Sequence, residues 1–410
     1  MTVFQIIAIL ISVTALFSYL NHRYFKLPPT IGVMLIALLV SIGLIGAGHF
    51  APWIRNGAVQ LLEQIDFNNA LMQGMLCFLL FAGALHIDLA ELAEQRGIIA
   101  TLAIAGVVIS MFVFGTLIHW ILGWLGFELS YAWCLLFGAL VSPTDPVAVI
   151  GILKDARVPH GLELQIAGES LFNDGIGVVA FIVMREIAVG GQHASPGHIG
   201  LLFFQGAVGG AVFGLAIGWI AFRLLISVDN YRVEMMLTLA LVMGGYALAA
   251  EIEVSGPIAI VVAGLVIGNH GRRLAMSETT RNNLDAFWEL IDEILNALLF
   301  VLIGLEILLL TFTRELFFAG LLAIPAILLA RWVSVVVPVA VMHRRRKFMP
   351  GTVTIMTWGG LRGGISVALA LSLAAGRERE IVLAVTYIVV IFSILAQGLT
   401  LKHVVRSLVK

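Results

Sequence analysis

The stretch Gly168-Glu169-Ser170-Leu171-Phe172-Asn173-Asp174-Gly175 lies inside a run from Gly161 to Met184 that is otherwise almost wholly apolar. It places two acids where a membrane-spanning helix ordinarily carries none. At about 100° per residue, Glu169 and Asn173 stack one turn apart, as do Ser170 and Asp174, so all four polar groups share one side of a helix. That side cannot face lipid. A carboxylate near the bilayer centre costs about 2.5–3.5 kcal/mol on insertion scales, so such residues line a cavity or an ion path. The segment reads as an ion-binding helix. A surface helix that never crosses the membrane is the competing reading, and the topology decides between them.

The 410 residues are 60% hydrophobic and 12% charged, with a mean hydropathy of +1.03, whereas a soluble domain carries about 25% charged residues. The chain reads as an all-α polytopic membrane protein. Cys77 and Cys134 both sit in apolar runs, which gives buried thiols and neither a disulfide framework nor a metal-ligand spacing. No basic residue precedes the apolar run from Val3 to Leu20 and no small-residue cleavage site follows it. That run is expected to be a retained first span and not a signal peptide, with no soluble domain appended at either end and no cofactor.

Crossing about 30 Å of hydrocarbon takes about 20 apolar residues. Thirteen such segments can be drawn, near 3–21, 27–48, 69–87, 97–125, 129–153, 161–184, 199–226, 233–251, 255–269, 287–311, 316–342, 350–375 and 381–401. Of the 24 Lys and Arg residues, 17 then fall in odd-numbered loops and the C-terminal tail, and five (Arg55, Arg185, Arg314, Arg377, Arg379) in even-numbered loops. Arg331 and Arg362 lie within spans. Because short cytoplasmic loops carry the basic excess, the N-terminus is expected outside and the C-terminus inside. Removing the sixth span reverses the asymmetry to 9 inside against 13 outside, so the acidic helix does span.

Two other spans are interrupted. In the fifth, Ser142-Pro143-Thr144-Asp145-Pro146 removes intrahelical donors and strands carbonyls in mid-membrane. The pieces on either side, about 13 and 8 residues, are each too short to cross. In the twelfth, Trp358-Gly359-Gly360-Leu361-Arg362-Gly363-Gly364 surrounds one arginine with glycines. With spans one to six and eight to thirteen taken as halves, the two breaks correspond, and the odd seventh span inverts the second half. Broken segments at matching places of inverted repeats point to a transporter's midplane site. Counted from the cytoplasmic helix ends, Asp145 and Glu169 lie about 14 Å deep, Arg331 and Arg362 about 18 Å, and Asp174 about 21 Å. All five fit one layer.

A small hard cation such as sodium takes oxygen ligands, which carboxylates, hydroxyls and freed carbonyls supply. Asp174, Ser170, Thr144 and backbone oxygens at the break form the candidate shell, in which a proton and a cation compete for one carboxylate. Glu169 needs an internal counter-ion, for which Arg331 is the first choice. Asp145 and Arg362 could offset the partial charges of half-helix ends and each other; depth alone does not say which arginine meets which acid. Asp145 and Asp174 could also be imagined as an intramembrane aspartyl protease dyad, but two buried arginines and the lack of a Gly-x-Gly-Asp element argue against an enzyme. A passive cation channel would use the same oxygens, although channel selectivity comes from rings around a pore.

These motifs carry a family resemblance. Ser-Pro-Thr-Asp-Pro at 142–146, Gly-Glu-Ser-Leu-Phe-Asn-Asp-Gly at 168–175 and Gly-Gly-Leu-Arg-Gly at 359–363 resemble the signatures of the monovalent cation/proton antiporter family. More narrowly, they are similar to the branch holding bacterial NhaP-type sodium/proton antiporters and animal sodium/proton exchangers. The resemblance implies an NhaA-like antiporter fold with crossed broken helices, working as a homodimer. Residues 1–96 and 231–311 would then form the dimerisation side, 97–190 and 312–410 a moving core, and 191–230 a linking helix. It implies that Asp174 carries sodium (or lithium) and the proton in turn, with Ser170 and Thr144 as cation ligands and Asp145 and Asn173 beside them. It also implies a structural Glu169–Arg331 ion pair. Asn173, where electrogenic relatives carry a second aspartate, implies electroneutral one-for-one exchange by alternating access. Potassium/proton antiport and a passive channel are the alternatives. The expected location is a bacterial inner membrane. The basic run His343 to Lys347 suits anionic lipid, while nucleic-acid binding would need far more basic surface. Long regulatory tails, as in animal members, are not expected. Glu306 is expected to be interfacial.

The topology is checked by a cysteine placed at Arg346. It should react with a membrane-impermeant thiol reagent only from the cytoplasmic face; labelling from outside would sink both the topology and the inverted-repeat reading.

Overall fold

The computed structural model describes residues 2–48, 52–62, 74–155, 158–190, 196–274, 276–310, 313–343 and 348–408. The start of the expected third span and the basic run at 344–347 lie outside these residues. Among the described residues every regular element is a helix. The α-helices of seven residues or more are, in chain order, α1 Val3–Leu20, α2 Pro29–Ala47, α3 Pro52–Leu62, α4 Leu76–Leu85, α5 Leu89–Trp124, α6 Tyr131–Leu140, α7 Val147–Asp155, α8 His160–Gly190 and α9 Pro196–Phe204. They continue with α10 Gly210–Ile226, α11 Tyr231–Glu251, α12 Gly256–Val266, α13 Glu278–Glu306, α14 Arg314–His343, α15 Thr352–Trp358, α16 Gly364–Leu371, α17 Arg377–Phe392 and α18 Gly398–Leu408. The π turns Gln205–Gly209 and Ser393–Gln397 join α9 to α10 and α17 to α18 without a break.

Helix starts follow ordinary capping chemistry. Side-chain oxygens of Asp88, Ser130, Asn230, Ser255 and Ser277 accept from the first free amides of α5, α6, α11, α12 and α13. Among the described residues, eight helical stretches are long and apolar enough to cross a membrane, and exposed apolar side chains such as Phe4, Ile11, Trp120, Trp124, Val212 and Trp219 suit a lipid-facing surface. The chain is an integral membrane protein. Helix α5 begins well before the expected 97 and runs for 36 residues, about 54 Å. That exceeds the hydrocarbon thickness, so its first turns, with Glu91, Glu94 and Arg96, project beyond it. Helix α3 occupies a stretch that hydropathy left as a loop. Glu306 closes α13 but is only 7% exposed, so it is buried where an interfacial position was expected; an acid near a helix end looks solvated in sequence until a neighbouring helix covers it.

Packing falls into two groups. In one, α5 lies along α14, α6 and α8, and α14 packs on α15 and α17; in the other, α2 packs on α13, and α12 on α4, α10 and α11. Small residues permit the close approaches that membrane helices favour. A Cβ added at Gly138 of α6 would collide with the Met111 backbone of α5, and one at Gly214 of α10 with the Ala259 backbone of α12. The groups meet where α8 touches α12 and α4, and where α16 touches α13. A cavity opens along that seam.

Candidate ion-binding site

The chain is non-helical over residues 141–146, between α6 and α7, and over 359–363, between α15 and α16. The two unwound segments meet, with the Asp145 N–H donating to the Leu361 carbonyl at 2.8 Å. Each break frees backbone groups that hydrocarbon cannot satisfy. Arg362 answers part of that need. Its Nη1 donates to the carbonyls of Ser142 at 2.6 Å and Pro143 at 3.0 Å, placing a cation at the C-terminal end of α6, where the helix dipole favours it. The Arg362 N–H donates to Ser393 Oγ at 2.8 Å, Ser393 donates to Gln397 Oε1 at 2.8 Å, and Gln397 Nε2 donates to the Trp358 carbonyl at 3.1 Å. Both glutamine and serine lie in the π turn, whose extra residue lets these side chains reach the break.

Helix α8 grips the other break through Thr144. The Thr144 N–H donates to Asn173 Oδ1 at 3.2 Å, Asn173 Nδ2 donates to Thr144 Oγ1 at 2.8 Å, and the Thr144 and Ser170 hydroxyl oxygens lie 3.0 Å apart. Asn173, expected among the ion-binding residues, thus uses both ends of its amide to hold a proline-flanked turn. Glu169 and Arg331 form a two-point pair, Nη1 with Oε1 and Nη2 with Oε2, the latter at 2.9 Å. Arg331 Nε donates to the Met356 carbonyl at 3.2 Å, so one side chain ties α14 to α8 and α15. Depth left open which arginine meets Glu169; the geometry assigns Arg331. Gly360 is required here, because a Cβ would overlap the guanidinium.

What remains open is a cavity of about 310 Å³ lined by Thr144, Asp145 and Asp174 from one helix group and Asp292 and Asn296 of α13 from the other, reaching as far as Lys154. The carboxylates of Asp145 and Asp174 repel one another. Asp174 is 6% exposed, and among the described residues no hydrogen bond or ion pair reaches its carboxylate. Sequence reasoning missed Asp292 and Asn296 because Glu289, Asp292 and Glu293 together made the start of the tenth span look like a solvated helix end. A signal was present. Asp292 and Asn296 stand one turn apart, the same acid-plus-polar spacing as Asp174 and Ser170. Ser366 of α16, another cavity residue, carried no signal.

Residues 11–407 match the model of the family described as sodium/hydrogen exchanger, transmembrane. The chain is 49% identical over 409 residues to the Na(+)/H(+) antiporter NhaP of Pseudomonas aeruginosa, covering 98% of this chain and 96% of that one. It is 32% identical over 397 residues to the Na(+)/H(+) antiporter NhaH of Halobacillus aidingensis, covering 94% and 93%. The structure of the sodium proton antiporter MjNhaP1 from Methanocaldococcus jannaschii superposes with a TM-score of 0.78 at 18% identity, over 100% of this chain and 99% of that one, a likeness of fold. The chain belongs to the transmembrane sodium/hydrogen exchanger family.

The Glu169–Arg331 contact is checked by a double-mutant cycle on thermal unfolding. Glu169→Gln and Arg331→Ala should each cost about 3–5 kcal/mol by stranding a buried charge, and the double variant should lose much less than the sum. Additive losses would show that the two side chains do not stabilise one another.

Proposed function

We propose that this protein exchanges sodium ions for protons across the membrane, with Asp174 as the carboxylate that each occupies in turn. One observation carries the reading: Asp174 is buried and opens on the cavity without a partner among the described residues, whereas Glu169, Arg331, Arg362, Thr144 and Asn173 are engaged with protein groups. Ser170, Thr144 and Asp145 stand around it and supply further oxygens for a cation. The names of the relatives support sodium as the ion; lithium, a smaller ion of the same charge, suits the same donors, and potassium/proton exchange is the second reading. The chemistry is transport, since two buried arginines make a shared-proton protease dyad unfavourable.

The architecture we infer has thirteen crossings, in which α6 with α7 and α15 with α16 each count as one broken span, and α9 with α10 and α17 with α18 as one continuous span. It corresponds to an NhaA-like arrangement of inverted repeats. The α5–α8 and α14–α18 group is the moving core and the α2, α4 and α11–α13 side is the fixed wall, through which two copies pair as a homodimer in a bacterial inner membrane, surrounded by lipid. The basic-loop asymmetry puts the N-terminus outside and the Lys154 end of the cavity in the cytoplasm. The site is then open inward, and alternating access carries it outward.

Exchange is one for one on this reading. The core layer holds Asp145, Glu169 and Asp174 against Arg331 and Arg362, a formal charge of -1. One sodium ion or one proton completes it, and both together would leave an excess charge in low dielectric, which is strongly disfavoured. Asp292 does not enter this count, because α13 packs on α2 and α4 and its charge stays with the wall.

Asp174→Asn should fold and melt near the parent temperature yet abolish sodium-driven proton flux in proteoliposomes, while Ser170→Ala and Thr144→Val should mainly raise the apparent KM for sodium. Exchange at the parent rate in Asp174→Asn would show that another group is the carrier.

Antiport in liposomes clamped at different potassium diffusion potentials with valinomycin should run at a rate independent of voltage. A rate or reversal point that follows the potential would mean that a further charge moves with the core.

A further inference from the structure

The cavity carries polar groups that the exchange chemistry leaves unused. Asp292 and Asn296 line the cavity from α13, and Ser366 lines it from the first turn of α16. Asn296 is 3% exposed, and its amide stands against the Asp292 carboxylate one turn away. Ser366 is 1% exposed, and its Oγ has no hydrogen-bond partner among the described residues. Leaving a buried hydroxyl unmatched costs about 1–3 kcal/mol, so the Ser366 oxygen on this cavity calls for an occupant. The elements that hold Asn296 and Ser366 are in contact: a Cβ at Gly364 of α16 would collide with Leu299 of α13.

The chemistry of that occupant follows from the donors. A carboxylate, a hydroxyl and an amide that can turn its oxygen inward are all hard oxygen ligands. Asp145 and Asp292 repel one another across the space, and Lys154, which also lines the cavity, lies 3.8 Å from Glu163 in an ion pair. A cation relieves that repulsion. Among the described residues no three carboxylate, thiol or imidazole side chains converge as a multidentate metal site would require, which suits a weakly held monovalent ion.

We propose that Asp292, Asn296 and Ser366 form a second alkali-cation station, a loading site from which the ion passes to Asp174. This rests on the exchange reading above. Two of its three ligands belong to α13, on the wall, so an ion must leave the station before the core can carry it across. The station therefore sets how readily sodium is captured from the face on which the cavity opens, and it has no part in capture from the other face.

The test is sided. In oriented proteoliposomes, the ratio of the apparent KM for sodium at the cytoplasmic face to that at the outer face is measured for the parent protein, Asp292→Asn and Ser366→Ala. Asp292→Asn should raise this ratio about tenfold, equivalent to about 1.4 kcal/mol, and Ser366→Ala should raise it less. An unchanged ratio in both variants, or equal shifts at the two faces, overturns the station. Loss of all exchange in well-folded Asp292→Asn overturns it too, because Asp292 would then be a carrier. Should Asp292→Asn fold poorly, Ser366→Ala carries the same sided measurement. Binding gives a readout independent of turnover: sodium should still raise the melting temperature of Asp174→Asn, and the added Asp292→Asn change should remove that rise. No sodium-dependent rise in Asp174→Asn overturns the station, whereas exchange persisting in Asp174→Asn overturns only the carrier assignment.

Discussion

A backbone group inside a bilayer has no water to turn to, and the whole site depends on how two unwound segments satisfy each other. The Asp145 amide reaches the Leu361 carbonyl, and Arg362 covers the carbonyls of Ser142 and Pro143. Without that mutual support, neither break could persist in hydrocarbon, where each unsatisfied group costs several kcal/mol. The crossing is what brings Thr144 and Asp145 beside α8. It therefore shapes this end of the cavity by backbone contacts alone.

Two kinds of charge stand in the same layer and do different work. Glu169 and Arg331 neutralise one another within a few ångströms and bind three helices into one body. Asp174 and Asp292 face space. A buried pair of the first kind adds little to net stability over an apolar substitute but resists the removal of either partner. Its value lies in orientation, since it holds α8 at a fixed rotation and so keeps Asp174 turned toward the cavity.

The two breaks were legible in the sequence because paired prolines and clustered glycines in mid-span interrupt the helical hydrogen-bond ladder, and the acidic face of α8 was legible because lipid excludes charge. Arg331 could be matched to Glu169 only as a preference, since depth along a helix says nothing about rotation around it. Asn173 looked like a ligand because its face was right; that both its amide ends are taken by Thr144 depends on where the break turns, which local sequence does not encode. Asp292 was hidden by the charges next to it, and Ser366 by the commonness of serine in membrane helices. The length of α5 was hidden for a related reason, because hydropathy ends a span where charges begin while the helix continues through them.

The two-way amide of Asn173 links ion counting to backbone shape. As arranged, residue 173 must both accept from an amide and donate to a hydroxyl, which an amide side chain does and a carboxylate cannot. An aspartate there would oblige the Thr144 hydroxyl to donate to it, leaving Ser170 as the donor in the contact between the two hydroxyls. Adding a second titrating acid is therefore not a change of charge alone; it rewires the polarity of the hydrogen bonds that shape the break. Residues 144, 170 and 173 share one chain of hydrogen bonds, so substitutions among them are not independent.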